Sequence, residues 1–314
     1  MKQTIATLLF VSLVSIPAWA DDASITTTDT VYGITSGATF TYSSATGQFD
    51  VDGEQVENTE TSSSSMIINL NAQYDLAAIT DGLYVGFDLP IIQNTVAAEG
   101  AGADALKAAN LDTSWATTGL GDASIYAGYW YGINDTVNVG AQLRFKAATG
   151  ADEAEVSDAG ELTSVPVGSG YHNIQASFRA DAKPIDNFGI NAEAGYIASL
   201  AAEKNSIENN TGDIFYGNAA FGYTIENWIT PSVNVHYYNA QANQVDGAEV
   251  ADTDSNALGF SFNMNFKIND SWNANAGFGS DQIARGVNLP YGYAVMGKNA
   301  STGYGVNMGI NGSF

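Results

Sequence analysis

The chain of 314 residues carries 34 acidic against 10 basic side chains, a formal charge of -24 and no cysteine. That balance excludes nucleic-acid binding, which needs a cationic face. The missing thiols exclude thiolate catalysis, iron–sulfur clusters and cysteine-based zinc sites. Mean hydropathy is -0.06, and no apolar run reaches the roughly 18 residues of a membrane-spanning helix.

In chain order, residues 1–20 read as a secretory leader. Lys2 supplies the positive start, Ile5 to Ile16 a short apolar core, and Pro17 a break before small residues at Ala18 and Ala20. A mature chain starting at Asp21 is expected, with 21–35 as a polar, extended periplasmic lead-in and 36–314 as one domain.

From residue 36 onward the apolar residues alternate with period two, interrupted by two kinds of connection. Short ones carry turn residues: 77–82, 133–135, 184–187, 226–228 and 268–271. Long ones, rich in acid, Ala and Gly, fall at 50–60, 97–118, 150–169, 202–212, 245–255 and 284–300. Five short turns alternating with six long loops give about twelve antiparallel strands, joined up-and-down, with both termini on the short-turn side.

The strand faces separate cleanly. Leu258, Phe260, Phe262, Met264, Phe266 and Ile268 share one face against Gly259, Ser261, Asn263, Asn265 and Lys267. Val137, Val139, Ala141, Leu143 and Phe145 stand against Asn138, Gly140, Gln142, Arg144 and Lys146. The strands exceed the usual sandwich length. Their polar face holds amides, hydroxyls and glycine rather than Lys and Glu, and aromatics such as Tyr129, Trp130, Tyr131, Phe188, Trp228 and Trp272 gather at strand ends. The pattern predicts an all-β transmembrane antiparallel β-barrel with apolar residues toward lipid, a polar lumen and periplasmic termini. The last strand ends in Phe314, a terminal aromatic of the kind the barrel-assembly machinery recognises.

Candidate lumen and constriction residues follow from the polar phase: Arg144, Lys146, Arg179 and Lys267, with Asp75, Asp88, Asp122, Asp181, Glu193 and His236. They can brace the interior as ion pairs, select solutes at a charged constriction, or do both. Asp50, Asp52, Asp252 and Asp254 alternate like the oxygen ligands of calcium loops, but neither run continues to a Glu at the twelfth position. His172 and His236 are the histidines. No spacing ties a serine or aspartate to either, so no catalytic residue and no cofactor is expected.

Glycine and turn motifs then carry a resemblance. Leu89-Pro90 ends the third apolar run, Gly119-Leu120-Gly121-Asp122 opens the fourth, Thr149-Gly150 closes the fifth and Gly168-Ser169-Gly170 precedes the sixth. In this order they resemble the outer-membrane family of the meta-pathway of phenol degradation, over about residues 60–314. Ala148 stands where that family usually has Pro, and His172-Asn173 lies where an Asp is common nearby. The resemblance implies a channel for small hydrophobic or aromatic compounds. The expected function is passive or facilitated passage of small solutes across the outer membrane, with loops 97–118 and 150–169 as candidate plugs. The expected partners are membrane lipid, lipopolysaccharide, the assembly machinery and the solute. The rival is a non-conducting structural or adhesive barrel presenting acidic loops.

Overall fold

The computed structural model describes residues 34–51, 54–98, 103–104, 107–108, 112–151, 163–204, 207–210, 212–249, 254–284, 288–289, 293–294 and 301–313. The leader expected over 1–20, most of the lead-in, and Phe314 lie outside the described residues.

Thirteen strands build the main sheet. They are β1 (Ile34–Val51), β2 (Glu54–Asp75), β3 (Leu83–Ala98), β4 (Ser114–Leu120), β5 (Ser124–Asn134), β6 (Val137–Lys146) and β7 (Asn173–Ile185). There follow β8 (Phe188–Ser199), β9 (Ile214–Tyr223), β10 (Ile229–Ala240), β11 (Ser255–Lys267), β12 (Trp272–Ala284) and β13 (Ser301–Ser313). Each pairs antiparallel with its neighbours, and the last strand pairs with the first, Thr35 opposite Ser313. The sheet therefore closes and leaves no long free edge.

Two of these strands share one place in the wall, which gives the twelve expected positions. β4 pairs with Ile91–Ala97 of β3, whereas β5 pairs with Leu83–Asp88 of the same strand. Between them Leu89 and Pro90 face three residues, Gly121, Asp122 and Ala123, so the wall carries a β-bulge. Pro90 has no N–H to offer, and its carbonyl accepts the Gly121 N–H at 2.9 Å. The bulge shifts the alternation by one: Trp115, Thr117 and Gly119 face inward above it, Ser124, Tyr126 and Gly128 below it. For this reason no single alternating run spans the fourth wall position.

The short turns lie at one end, as expected. Both barrel termini lie there too, since the Ser313 N–H donates to the Ser271 carbonyl across a 2.8 Å bond. Glu226 and Asn227 adopt left-handed φ of 52° and 61° to make one of these turns. At the opposite end the hairpin β1–β2 is longer than expected. The acid-rich stretch 50–60, read as a loop, is strand on both sides of residues 52–53. Loops 202–212 and 245–255 are not independent either. Their short strands Ala202–Lys204, Ile207–Asn210, Gln244–Val245 and Ala248–Glu249 form a separate small sheet. Its turn at Asp246-Gly247 has both residues at positive φ, the pairing a two-residue hairpin demands.

The outward face decides the environment. Phe178 is 76% exposed, Ile125 63%, Phe278 61% and Leu143 58%, and these side chains form a belt at mid-strand. Such a belt is unfavourable in water and suits hydrocarbon, where each buried side chain of this size gains about 1.5–3 kcal/mol. On β3 the belt ends where the outward residues change from Leu89 and Ile91 to Gln93 and Thr95. Tyr129, Tyr131 and Trp228 sit outward at the short-turn rim, exposed as an interfacial girdle is. Trp130 does not join them; it turns to the inner face and lies against Gly140.

Candidate functional site

The buried side chains point into the barrel, and they divide it into two unlike walls. On the arc from β3 to β9 the inward residues include charged and aromatic side chains beside Gln142, Gln175 and Ser177. Arg144 Nη1 donates to Asp88 Oδ2 at 2.6 Å, and Ser124 Oγ donates to the same oxygen at 3.0 Å. Arg179 Nε donates to Glu193 Oε2 at 3.0 Å. Glu193 also accepts from the Tyr216 hydroxyl at 2.7 Å, and that hydroxyl accepts from Gln175 Nε2 at 2.6 Å. The Arg144 guanidinium lies 4.9 Å from the ring centre of Tyr126. Tyr126 meets Tyr84 edge-on at 6.3 Å, and Tyr84 donates to Gln142 Oε1 at 3.2 Å. Tyr84 also interacts with Arg179, so the two ion pairs belong to one continuous cluster. Half-way round the barrel, β10 to β13 and β1 present amides, hydroxyls and glycine: Asn234, Asn263, Asn275, Thr39 and Thr41, all buried.

Local sequence makes room for the aromatic cluster. Tyr84-Val85-Gly86 and Tyr126-Ala127-Gly128 run antiparallel on adjacent strands, so Tyr84 falls opposite Gly128 and Gly86 opposite Tyr126. Each phenol lies over the other strand's glycine, where a Cβ would clash with the ring. Gly195 seats Tyr216 in the same way. We expect Gly128→Ala to displace Tyr84 and break its bond to Gln142, costing about 1–3 kcal/mol as overpacking does. Urea titration of the detergent-refolded barrel reads this directly, and an unchanged midpoint would contradict the seating.

Above this cluster one long loop turns inward. Pro166 O accepts Asn94 Nδ2 at 2.6 Å, and the Val165 N–H donates to Thr117 Oγ1 at 2.8 Å. Asn94 and Thr117 both point into the lumen, so the loop lies on the inner wall. Val165 and Val167 are 1% and 5% exposed, and Val167 Cγ2 lies over Gly119 of β4. Of the two loops expected to fold inward, 150–169 does so over its described part. In 97–118, Ala103 is buried.

The loop is held at the bulge. Asp122 Oδ1 accepts the Gly150 N–H at 3.0 Å, and Oδ2 accepts the Ser169 N–H at 2.8 Å and the Ser169 hydroxyl at 2.6 Å. Lys146 Nζ stands 3.7 Å away. Thr149 Oγ1 donates to Gly121 O at 3.0 Å and accepts the Ala123 N–H at 2.9 Å. A Cβ added at Gly150 would lie 2.7 Å from the Gly168 Cα and 3.0 Å from the Gly121 Cα. The four motifs that carried the resemblance, spread over some eighty residues, thus converge on one node.

This convergence agrees with the comparison of whole sequences. Residues 32–296 match the family described as MetA-pathway of phenol degradation. The chain belongs to this family. No curated protein matches the sequence. Among solved structures, the COG4313 outer membrane channel from Pseudomonas putida F1 superposes with a TM-score of 0.66 at 17% identity, covering 91% of this chain and 97% of that one. The transport unit of the autotransporter AIDA-I from Escherichia coli gives 0.50 at 11%, covering 100% and 98%. The toluene transporter TodX from Pseudomonas putida gives 0.45 at 9%, covering 90% of each. The first two likenesses show the outer-membrane barrel fold and do not by themselves carry a function.

The remaining expected residues are dispersed. Asp181 accepts from Asn191 Nδ2 lower on the same wall. His236 is buried on the neutral wall, 5.4 Å from the Tyr238 ring. Asp75 and Lys267 lie at the short-turn rim, outside the cluster. Asp75 accepts from Gln73 Nε2 at 3.1 Å. Lys267 lies 2.9 Å from Asp270, and its ammonium holds that carboxyl below its ordinary value. His172 Nδ1 accepts the Ala148 N–H at 3.1 Å, and its ring stacks on Phe145. The calcium candidates Asp52 and Asp252 and the Asp50 side chain lie outside the described residues, while Asp254 is exposed. Among the described residues no group of three His, Cys, Asp or Glu is placed to hold a metal ion.

Sequence reasoning missed Tyr84, Tyr126, Tyr216 and Gln175, and it placed Gln142 on the polar face without making it a site residue. The usable signal was the phase each shares with inward glycines, above all the two reciprocal Tyr-x-Gly segments.

Proposed function

We propose that this chain is an outer-membrane channel for the passive or facilitated passage of small solutes with hydrophobic or aromatic character. The observation that carries this reading is the two-sided lumen. A wall of tyrosines and arginines faces a neutral wall of amides and hydroxyls, beneath a loop that narrows the bore. Rings stack on phenol and guanidinium faces, while amides opposite keep water and polar substituents solvated. Charges paired within their own wall leave a modest field across the path, which suits weakly polar solutes better than strong ions. Membership in a family named for phenol degradation agrees with it. The chain reaches the membrane through a cleaved leader, keeps its termini in the periplasm and is recognised by the assembly machinery through its last strand. Lipopolysaccharide surrounds its outer rim.

Swelling of liposomes containing the refolded chain 21–314 tests the reading. Faster swelling with phenylalanine, whose zwitterion crosses bare lipid slowly, than with a sugar of similar mass, each measured against protein-free liposomes, supports it. No swelling with any solute would contradict it and favour the closed, adhesive barrel.

A further inference from the structure

The inward loop can serve a channel in two ways: as a plug that leaves, or as a fixed part of the wall. Three observations favour the second. Val165 and Val167 are packed at the wall as tightly as core residues, and burial of that kind is worth about 1.5–3 kcal/mol per side chain. The Val165 N–H and the Pro166 carbonyl bond to inward side chains of β4 and β3, while the Val167 and Gly168 N–H groups both donate to the Ala151 carbonyl across the base of the loop. The chain on either side is tied to Asp122, through Gly150 before the shelf and Ser169 after it. A carboxylate accepting two backbone N–H groups and a hydroxyl makes bonds roughly twice as strong as neutral ones. The bulge aims that carboxylate at the loop; without the extra residue between β4 and β5 its side chain would point to the other face.

We propose that Asp122 is a positioning residue that holds Val165–Val167 as a permanent shelf, so that solutes pass beside the shelf and not by displacing it. Asp122 acts through Gly150 and Ser169, and the shelf sets the cross-section of the path. This inference rests on the channel reading for its conductance but not for its geometry.

A chain without cysteine allows a clean test. A Cβ at Gly119 would lie 3.1 Å from Val167 Cγ2, so Gly119→Cys with Val167→Cys can form a disulfide if the shelf stays in place. The expected result is ready oxidation, with oxidised and reduced forms giving the same single-channel step. Adding Asp122→Ala is expected to lower the disulfide yield severalfold and, in the cysteine-free chain, to raise the step roughly twofold as the bore widens. Asp122→Asn, which keeps one acceptor oxygen, is expected to fall between and covers the case in which the alanine variant fails to refold. Closure of the channel on oxidation would overturn the proposal, because the shelf would then have to move. Unchanged disulfide yield in both Asp122 variants would overturn it as well. Should the parent barrel be silent in bilayers, the channel reading fails, and the disulfide yield alone decides whether Asp122 holds the shelf.

Discussion

Replacing Arg144 and Arg179 together with alanine is expected to make the lumen strongly cation-selective. Each arginine is half of a pair, so its removal takes a positive charge from beside Asp88 or Glu193 on the pore wall. Two unit charges about 6 Å from a passing ion, at the permittivity of water, favour a cation by roughly 1.4 kcal/mol and disfavour an anion by as much. Screening at 0.1 M salt halves this, which leaves about a tenfold rise in cation-to-anion permeability. Reversal potentials across a salt gradient measure the ratio. Glu193→Gln should shift it the other way, and Arg→Lys at both positions should largely preserve it. An unchanged ratio in the alanine pair would mean that ions do not pass the cluster. The barrel should survive these changes, since backbone pairing holds the wall, although losing one partner of a shielded pair still costs a few kcal/mol.

Phe178→Arg is expected to destabilise the barrel by about 2–4 kcal/mol, the cost of a cation on the lipid face at mid-membrane. Among the described residues Phe178 is the most exposed of the large aromatics, in the middle of β7, so in a soluble protein the same change would be neutral or favourable. Asp186→Arg, in the short turn that follows, should cost about 1 kcal/mol or less because interfacial depth tolerates charge. Reversible urea unfolding in lipid vesicles separates the two. Equal costs would mean that the apolar belt does not face hydrocarbon.

The barrel was legible in the sequence because its two determinants are local: period-two alternation and turn chemistry. Strand faces came out as expected wherever alternation is strict, as in β6 and β11. Expectation failed where a contact depends on another part of the chain. Residues 50–51 and 54–60 are acidic and turn-like, yet they extend a hairpin, with Asp50 opposite Gln55 and Val51 opposite Glu54 beyond a shift of register at Gln48–Asp50. The split of β4 from β5 hides in three residues that flip the phase of the alternation. Asp122 was visible as an inward charge, but its role was not, because its principal partners are backbone N–H groups of Gly150 and Ser169 that no residue type announces. Arg144 and Arg179 lie on adjacent strands. Their acids became definite only with the register, which places Glu193 directly across from Arg179 and brings Asp88 to Arg144 over the strand between them.

Single-channel recording of the refolded chain 21–314 in a planar lipid bilayer tests the central claim most directly. The account predicts discrete, small conductance steps, reduced by millimolar concentrations of a neutral aromatic solute that competes for the tyrosine wall. A bilayer that stays silent across voltage, with correctly folded protein recovered from it, would contradict an open two-sided lumen.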